Sequence, residues 1–275
     1  MSASPKSSCV PLPFAVNASG NLVHASDKSL SRGMACRCTC LGCQEDLILK
    51  RGPIKAPHFS HKSGSSCAGG VGYWHKCAQM ALEDCLRLPL KNPVIHVSCD
   101  STILDKHYEL RGRVNLPGAL QFTSVTQEDR FILPGYVVDV SAITPSTTAG
   151  RLIIEIKDTH ALDHNKLVAL KKLGIPAVEI DISQIRKTLS ITTSTADFLE
   201  CLFMAPRQWI VSLPEYVKSK EYLEGKICDF VTNEERVHLD NQRLLRLALG
   251  PARVRERALR GMNSANQMQN QMLAA

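Results

Sequence analysis

Two short apolar segments in the middle of the chain carry side chains that could bind a divalent cation. Glu155 and Lys157 stand two positions apart in the run 152–157, and Asp139 lies in a second run, 135–140. Side chains alternate between the two faces of a strand, so Glu155 and Lys157 are expected on the same face. Carboxylate oxygens suit Mg²⁺ or Mn²⁺, and a compact ammonium can position water or offset charge on a phosphoryl oxygen. These residue types favour metal-assisted hydrolysis of a phosphate ester.

The elements that would bring these residues together are two strands and the turn between them. Residues 145–150 are rich in turn formers, so the two runs are expected to form a hairpin. A symmetric hairpin centred on Thr147 places Asp139 directly opposite Glu155. An acid facing an acid-x-lysine unit on the next strand is the active-site pattern of the PD-(D/E)XK nucleases. A solvated strand face without a catalytic role is the alternative, because such spacings also arise by chance.

A strand-helix-strand unit is predicted after this hairpin. Asp163 is a candidate N-cap, a helical leucine pattern follows it, Gly174 is a stop signal, and residues 177–182 form a further apolar strand. Such crossovers join parallel strands, and the nuclease core of this type has one after its catalytic hairpin. That core implies that His160 and Lys166 lie near the catalytic edge as phosphate contacts. A capping histidine and a solvated lysine are the alternative roles.

A second group of metal-ligand side chains lies nearer the N-terminus. Cys40 and Cys43 form a Cys-x-x-Cys pair, and His58 and His61 follow in the same segment of the chain. Four soft or borderline ligands at this spacing suit tetrahedral Zn²⁺. The choice of ligands stays open, because Cys67 could replace one of the histidines and two further cysteines precede Cys40. Reduced thiols packed as small apolar side chains are the alternative for the pair.

Together these features resemble the competence protein CoiA-like family, whose members join an N-terminal zinc module to a PD-(D/E)XK-type nuclease domain. The similarity extends over roughly residues 14–212, and segment 155–183 is its most specific part. One departure is Gln79, which stands where the family usually has a lysine. The positions that carry the resemblance are Ala15, 20–25, Cys40, Cys43, 58–61, His75, Asp139, 155–160, Lys166, 174–183 and 206–210.

The resemblance implies an α/β fold class. Its core would be a restriction-endonuclease-like mixed sheet flanked by helices, with the sheet inside residues 94–187. A small N-terminal zinc-binding module and a mostly helical C-terminal region would accompany the core. The expected bounds are 14–70 for the zinc-binding module, 71–195 for the nuclease-like domain, 196–261 for the helical region and 262–275 for a disordered tail.

The resemblance also implies specific roles at the catalytic site. Asp139 and Glu155 would hold Mg²⁺ or Mn²⁺ together with the carbonyl of Ile156, and Lys157 would position the attacking water. In this fold a helix that precedes the sheet often lends a further carboxylate, and Glu83 on the linking helix is the candidate. A solvated Glu83 is the alternative.

Charge favours DNA, duplex or branched, as the partner. The formal net charge is +7, and the cations cluster in two stretches. Such patches neutralise phosphates without reading sequence. Merely solvated surfaces are the alternative for each stretch. The candidate contacts are Lys50, Arg51, Lys55, Arg253, Arg255 and Arg257.

Composition favours a cytoplasmic protein without a membrane partner. No apolar run approaches the roughly 20 residues of a membrane span, and the first residues lack the apolar core of a signal peptide. Eleven cysteines, an odd number, fit metal binding in a reducing compartment better than a disulfide framework.

The expected function is that of a Mg²⁺-dependent DNA endonuclease, with DNA uptake, recombination or defence against foreign DNA as the roles that the resemblance implies. The alternative is a non-catalytic, zinc-containing DNA-binding or recombination-mediator protein that retains the fold. An effector that acts on RNA is a weaker third interpretation. The complete set of Asp139, Glu155 and Lys157 favours catalysis, because a pure binding protein has no need of two mutually repelling carboxylates.

Overall fold

The structure, a computed structural model, describes residues 11–63, 65, 67, 72–91, 93–114, 116–190 and 192–248. The strands are β1 (Phe14–Val16), β2 (Leu22–His24), β3 (Gly33–Thr39), β4 (Asp46–Lys50), β5 (His58–His61), β6 (Arg87–Pro89), β7 (Val94–Ser101), β8 (Lys106–Arg113), β9 (Ala119–Gln121), β10 (Ser124–Asp129), β11 (Val138–Ile143), β12 (Arg151–Lys157), β13 (Ala177–Asp181) and β14 (Arg207–Val211). The helices are α1 (Tyr73–Cys85), α2 (His164–Leu173), α3 (Ile185–Thr188), α4 (Thr195–Met204) and α5 (Pro214–Ala248). Among the described residues no helix is both long and apolar enough to cross a bilayer.

The chain divides into two compact units. The first contains the described residues of Met1–Lys91 and Leu116–Glu215, and the second contains those of Asn92–Asn115 and Tyr216–Ala275. The predicted zinc module and most of the predicted nuclease-like region therefore lie in one unit. The expected mixture of helices and sheets is confirmed at the level of fold class. The predicted tail, 262–275, lies outside the described residues.

A five-stranded sheet in the order β2-β1-β3-β4-β5 forms the N-terminal part of the first unit. Strands β3, β4 and β5 form a meander, with Cys38 opposite Leu47 and Leu47 opposite His61. The apolar side chains Leu47, Leu49 and Phe59 are almost completely buried. Cys40 and Cys43 lie in the turn between β3 and β4, and His61 is the last residue of β5. Because neighbouring strands are antiparallel, these three residues lie at the same end of the meander.

Helix α1 is fastened to the N-terminal sheet by Tyr73. The Tyr73 hydroxyl accepts a hydrogen bond from the Phe14 N–H and donates one to the Phe14 carbonyl, both at 2.9 Å. Phe14 also contacts Trp74 and Phe198, with ring centroids 6.3 and 5.4 Å away. These buried contacts set the position of α1, and therefore of His75 and Gln79 on it, within the first unit.

A second five-stranded sheet has the order β10-β11-β12-β13-β14. Strands β11 and β12 are antiparallel with Val140 opposite Ile154, which is the register predicted for the hairpin. Strands β12 and β13 are parallel, as predicted for the strand-helix-strand unit, and the remaining pairs are antiparallel. Residues Arg207–Val211, within a region expected to be mostly helical, form the edge strand β14.

Helix α2 begins and ends at the predicted residues. The Asp163 carboxylate accepts hydrogen bonds from the backbone N–H groups of Asn165 and Lys166, and Gly174 ends the helix with φ 73°. Leu170 on α2 belongs to one buried cluster with Ile153 of β12 and Ala177 of β13. Full burial of one leucine contributes roughly 1.5–3 kcal/mol, so this packing holds α2 against the sheet.

The second unit contains the hairpin β7-β8 and most of α5. The prediction that the central sheet occupies residues 94–187 was wrong in its first part, because among the described residues β7 and β8 pair with each other and with no other strand. Inside the unit, Ser101 donates a 2.6 Å hydrogen bond to Glu235, and the Tyr108 and Phe230 rings lie 5.8 Å apart. These contacts to α5 cover the hairpin instead of a neighbouring strand.

Candidate functional site

The cysteine and histidine side chains converge at one end of the N-terminal meander. The four ligand atoms of Cys40, Cys43, His61 and Cys67 lie within 4.8 Å of one another. Cys43 Sγ is 3.2 Å from His61 Nε2, and Cys40 Sγ is 4.0 Å from Cys67 Sγ. Sulfur atoms on a zinc tetrahedron with 2.3 Å bonds stand about 3.8 Å apart. The cluster could therefore hold Zn²⁺.

His58, predicted as a zinc ligand, is not part of this cluster, and the alternative ligand Cys67 takes its place. The reason is strand geometry. His58 and His61 are three positions apart in β5, so their side chains leave opposite faces of the strand. The buried His58 ring instead donates from Nδ1 to the Ala56 carbonyl at 2.8 Å.

The cysteines that precede Cys40 behave as packed thiols. Cys36 and Cys38 are buried, and their sulfurs donate to the backbone carbonyls of Leu47 and Cys36. Burial also raises the pKa of Cys40 above its usual value. A metal ion needs the thiolate form, so ion binding and ionisation of the cluster are coupled.

Asp139 and Glu155 come together at the open end of the β11-β12 hairpin. The observed pairs run from Ile143 opposite Arg151 to Val140 opposite Ile154, and Asp139 and Glu155 are next in that register. Asp139 Oδ2 accepts a 2.7 Å hydrogen bond from the Ile156 N–H. This bond ties the Asp139 carboxylate to the neighbouring strand β12.

Two residues of α1 support Asp139. His75 Nε2 lies 3.3 Å from Asp139 Oδ1, and Gln79 Nε2 donates to the Asp139 carbonyl at 3.2 Å. His75 and Gln79 are four positions apart, so one face of α1 presents both side chains. The sequence placed them on one face, but their contact with Asp139 depends on the packing of α1. Gln79, which departs from the pattern of the family that the chain resembles, is 1% exposed and holds the backbone of Asp139.

Glu155 is paired with Lys166. Glu155 is 3% exposed, and Lys166 Nζ donates a 2.5 Å hydrogen bond to its Oε2. Its Oε1 atom is buried and has no hydrogen-bond partner among the described residues. Burial and the charge of the neighbouring Asp139 carboxylate raise the pKa of Glu155 to about 7, although Lys166 opposes the shift.

The helix and the strand explain why Lys166 reaches Glu155. Lys166 lies one turn before Leu170 on α2, and Glu155 lies two residues after Ile153 on β12. Since α2 returns in the direction opposite to β12, residues that precede Leu170 lie over residues that follow Ile153. Lys166 and Glu155 are the next pair along the two elements.

The pKa of Asp139 is shifted in the opposite direction to that of Glu155, and His75 is one cause of the shift. Burial alone would raise the pKa of Asp139, but His75, the Ile156 N–H and Lys166 outweigh burial and hold that pKa below its usual value. Burial would lower the pKa of His75, but Asp139 and the other nearby carboxylates outweigh burial, and the pKa of His75 is raised above its usual value. One ionised carboxylate, Asp139, therefore stands beside one carboxyl group that releases its proton near neutrality.

Lys157 does not meet the two carboxylates in the way that the strand pattern predicted. Its ammonium donates a 2.7 Å hydrogen bond to Asp181 Oδ2. Lys157 and Asp181 are direct neighbours on the parallel strands β12 and β13, and a neighbouring strand is closer than the residue two positions away. The lysine that contacts Glu155 is Lys166.

The other accessory residues lie elsewhere. Glu83, two turns after His75 on α1, is exposed and accepts a hydrogen bond from the side chain of Gln127. His160 Nδ1 lies 2.8 Å from the Thr159 hydroxyl. Neither is brought to Asp139 or Glu155 by a contact in the structure, whereas Lys166 is.

The predicted nucleic-acid contacts differ in their surroundings. Lys50 and Lys55 are exposed. Arg51 is half-buried, and its guanidinium donates to backbone carbonyls of Ala25, Asp27 and Leu30. Arg51 is therefore a structural residue of the loop. The predicted contacts Arg253, Arg255 and Arg257 lie outside the described residues.

The comparison with known proteins gave one match. Residues 22–69 match the family model for the competence protein CoiA, N-terminal domain. That segment contains the N-terminal meander and all four residues of the zinc cluster. No curated protein and no solved structure matches the chain significantly. Over residues 22–69 the chain is therefore similar to the N-terminal domain of the competence protein CoiA.

Proposed function

We propose that this protein is a Mg²⁺-dependent DNA endonuclease that hydrolyses phosphodiester bonds. One observation carries the proposal: Asp139 and the buried Glu155 adjoin at the end of two paired strands, with one oxygen of Glu155 unpartnered among the described residues. Two adjacent carboxylates destabilise the fold unless a proton or a cation lies between them. Such a site suits a hard divalent cation better than a purely structural role.

The residues present fit such a cation. The unpartnered Glu155 Oε1 atom and the raised pKa of Glu155 both indicate negative charge that the surrounding protein does not balance. Asp139 and Glu155 would hold the ion, and the Ile156 carbonyl stays the predicted third ligand. When bound, Mg²⁺ would polarise a phosphate oxygen and lower the pKa of a bound water.

The other side chains would position the reacting groups. Lys166 holds Oε2 of Glu155, so the opposite oxygen stays directed away from the lysine. His75 and the Ile156 N–H hold the two oxygens of Asp139 and keep it ionised. Lys157, at the end of β12, would present its ammonium to the water or to the transferred phosphoryl group.

The family description supports DNA as the substrate, because it names a competence protein. Competence is the uptake of DNA. The net charge of +7 is compatible with a polyanionic substrate. We infer a role in DNA uptake and recombination, or in defence against foreign DNA.

The test is cleavage of plasmid, linear, single-stranded and branched DNA with Mg²⁺ or Mn²⁺ and with EDTA. The wild-type protein should cut at least one substrate only when the cation is present, and Glu155→Gln should not cut. Glu200→Gln is the matched control, because Glu200 is exposed on α4 in the same unit. If the wild-type protein cuts none of these substrates, a non-catalytic DNA-binding role replaces the proposal.

A further inference from the structure

An open groove lies at the end of the N-terminal meander that is opposite to the zinc cluster. Gly33 is opposite Leu49, and Lys50 is opposite His58, whereas the cluster follows Thr39 opposite Asp46 and Leu47 opposite His61. The loop between β4 and β5 forms one wall. The described residues that line the groove include Arg32, Ile48, Lys50, Ile54, Lys55 and His58.

The groove is basic. Arg32, Lys50 and Lys55 are exposed, and no acidic side chain is present among the described residues that line it. The three cations come from separate backbone segments: the residue before β3, the end of β4 and the loop that follows β4. Cations spread along an open groove fit an extended polyanion better than one small anion.

Hydrogen bonds within the protein hold the wall of the groove in place without a bound ligand. Arg51 bonds the carbonyls of Ala25 and Leu30, at 2.9 and 3.0 Å, where the loop begins. His58 Nδ1 bonds the Ala56 carbonyl at 2.8 Å where it ends. Ile54 lies between these anchors and is 93% exposed. Because the loop is anchored at both ends, Lys50 and Lys55 are presented at low entropic cost.

We propose that this groove, with Arg32, Lys50 and Lys55 as its contacts, binds the sugar–phosphate backbone of DNA. The inference rests on the proposed function, since it supplies the substrate contact of a DNA-cleaving protein. It assigns Arg51 and His58 to shaping the groove. It also assigns different roles to the two ends of the meander: one end carries the zinc cluster, and the other end would bind the DNA substrate.

The experiment measures DNA binding by the full-length protein at several salt concentrations, without chelator and without added Mg²⁺ or Mn²⁺, so that cleavage plays no part and the zinc cluster is not stripped. The triple variant Arg32→Ala/Lys50→Ala/Lys55→Ala should reduce the slope of log affinity against log salt by about 0.9 for each phosphate that the variant no longer neutralises. The matched control, Lys28→Ala/Arg37→Ala/Lys62→Ala, removes the same charge from exposed positions of the same module that do not line the groove. It should change the slope much less. Ile54→Ser keeps the charge and should leave the slope unchanged.

Duplex DNA and duplex RNA of equal length form two arms of this experiment. The slope is expected to fall on DNA, and a fall on RNA alone would overturn the proposal. Equal slopes in the groove and control variants would overturn the proposal that the groove binds DNA. Failure of the wild-type protein to bind either nucleic acid would do the same. If the slope depends on the groove residues but the protein never cuts DNA, the proposed DNA-binding groove is supported and the proposed nuclease activity is rejected. If the protein cuts DNA but the salt dependence of binding does not change in the groove variant, only the proposed DNA-binding groove is rejected.

Discussion

Lys166 and Glu155 form a buried ion pair in which the ammonium lies 2.5 Å from Oε2 of the carboxylate. The two side chains are 13% and 3% exposed. Lys157, the lysine of the acid-x-lysine unit, pairs with Asp181 instead. The site therefore contains two lysines in different positions, and they are expected to have different roles.

The first prediction separates these two lysines. Lys157→Met should lower the cleavage rate on the order of 10²- to 10³-fold at every pH, the usual scale for one preorganised electrostatic contact. Lys166 lowers the pKa of Glu155, so Lys166→Met should also shift the pH–rate profile to higher pH. Rates measured from pH 6 to 9 at subsaturating Mg²⁺ and DNA would distinguish the two. A profile for Lys166→Met that parallels the wild-type profile would show that Lys166 does not position Glu155.

The second prediction concerns stability and pH. A glutamate ordinarily has a pKa of 4.5, whereas in the folded protein the pKa of Glu155 is about 7. Between these pH values the folded state binds more protons than the unfolded state, so the free energy of unfolding contributed by Glu155 falls as the pH rises. The stabilising contribution of Glu155 is fully present below pH 4.5, and it is lost as the pH rises through its folded-state pKa of about 7.

Glu155→Gln should therefore gain stability relative to the wild-type protein as the pH rises from 5 to 8, in buffer without chelator and without added Mg²⁺ or Mn²⁺. The expected gain is on the order of 2 kcal/mol, since one pKa unit corresponds to about 1.4 kcal/mol. Denaturant unfolding of both proteins at each pH gives the difference. Stability curves that stay parallel over this range would contradict the buried carboxylate pair.

The third prediction identifies the zinc ligands. Cys67→Ser should lose the metal and destabilise the N-terminal module, because structural zinc sites contribute directly to folding. His58→Asn should retain about one zinc per chain, because His58 faces away from the cluster. Elemental analysis of the purified variants, with the wild-type protein beside them, gives the answer. Zinc retained in Cys67→Ser and lost in His58→Asn would support the ligand set that the sequence first indicated.

The fourth prediction concerns Arg51. Arg51→Met should reduce the free energy of unfolding by about 2–4 kcal/mol, because it leaves the partly buried carbonyls of Ala25, Asp27 and Leu30 without their donor. Lys50→Met, at the adjacent exposed position, should change it by less than about 0.5 kcal/mol. Thermal or denaturant unfolding of the two variants checks the difference. Equal stability of the two would show that Arg51 has no structural role.

Several features were predictable from local patterns alone. The turn formers of 145–150 set the register of the β11-β12 hairpin, because strand pairing next to a short turn leaves few alternatives. Asp163 and Gly174 bound α2 because a carboxylate can accept the first N–H groups and glycine adopts positive φ without strain. Those local features were enough to place Asp139 next to Glu155.

The choice among similar side chains depended on long-range contacts. His58 and Cys67 offer comparable ligand chemistry, and the pairing of β4 with β5 decided which of them faces the cluster. The pairing of β7 with β8, separate from the central sheet, was also decided by packing, in this case against α5. No residue-type signal in residues 94–113 distinguishes a hairpin from strands of a larger sheet.

The sequence by itself determined the residue types of the zinc cluster and of the carboxylate pair, the hairpin that joins Asp139 to Glu155, and the resemblance to CoiA-like proteins. Tertiary structure decided which lysine contacts Glu155, which histidine supports Asp139, and which arginine is a loop anchor. The physical reason is the kind of contact. Caps, turns and the pairing of strands in a hairpin follow from local backbone hydrogen bonding, whereas Lys166, His75 and Arg51 reach their partners only after one element has packed against another.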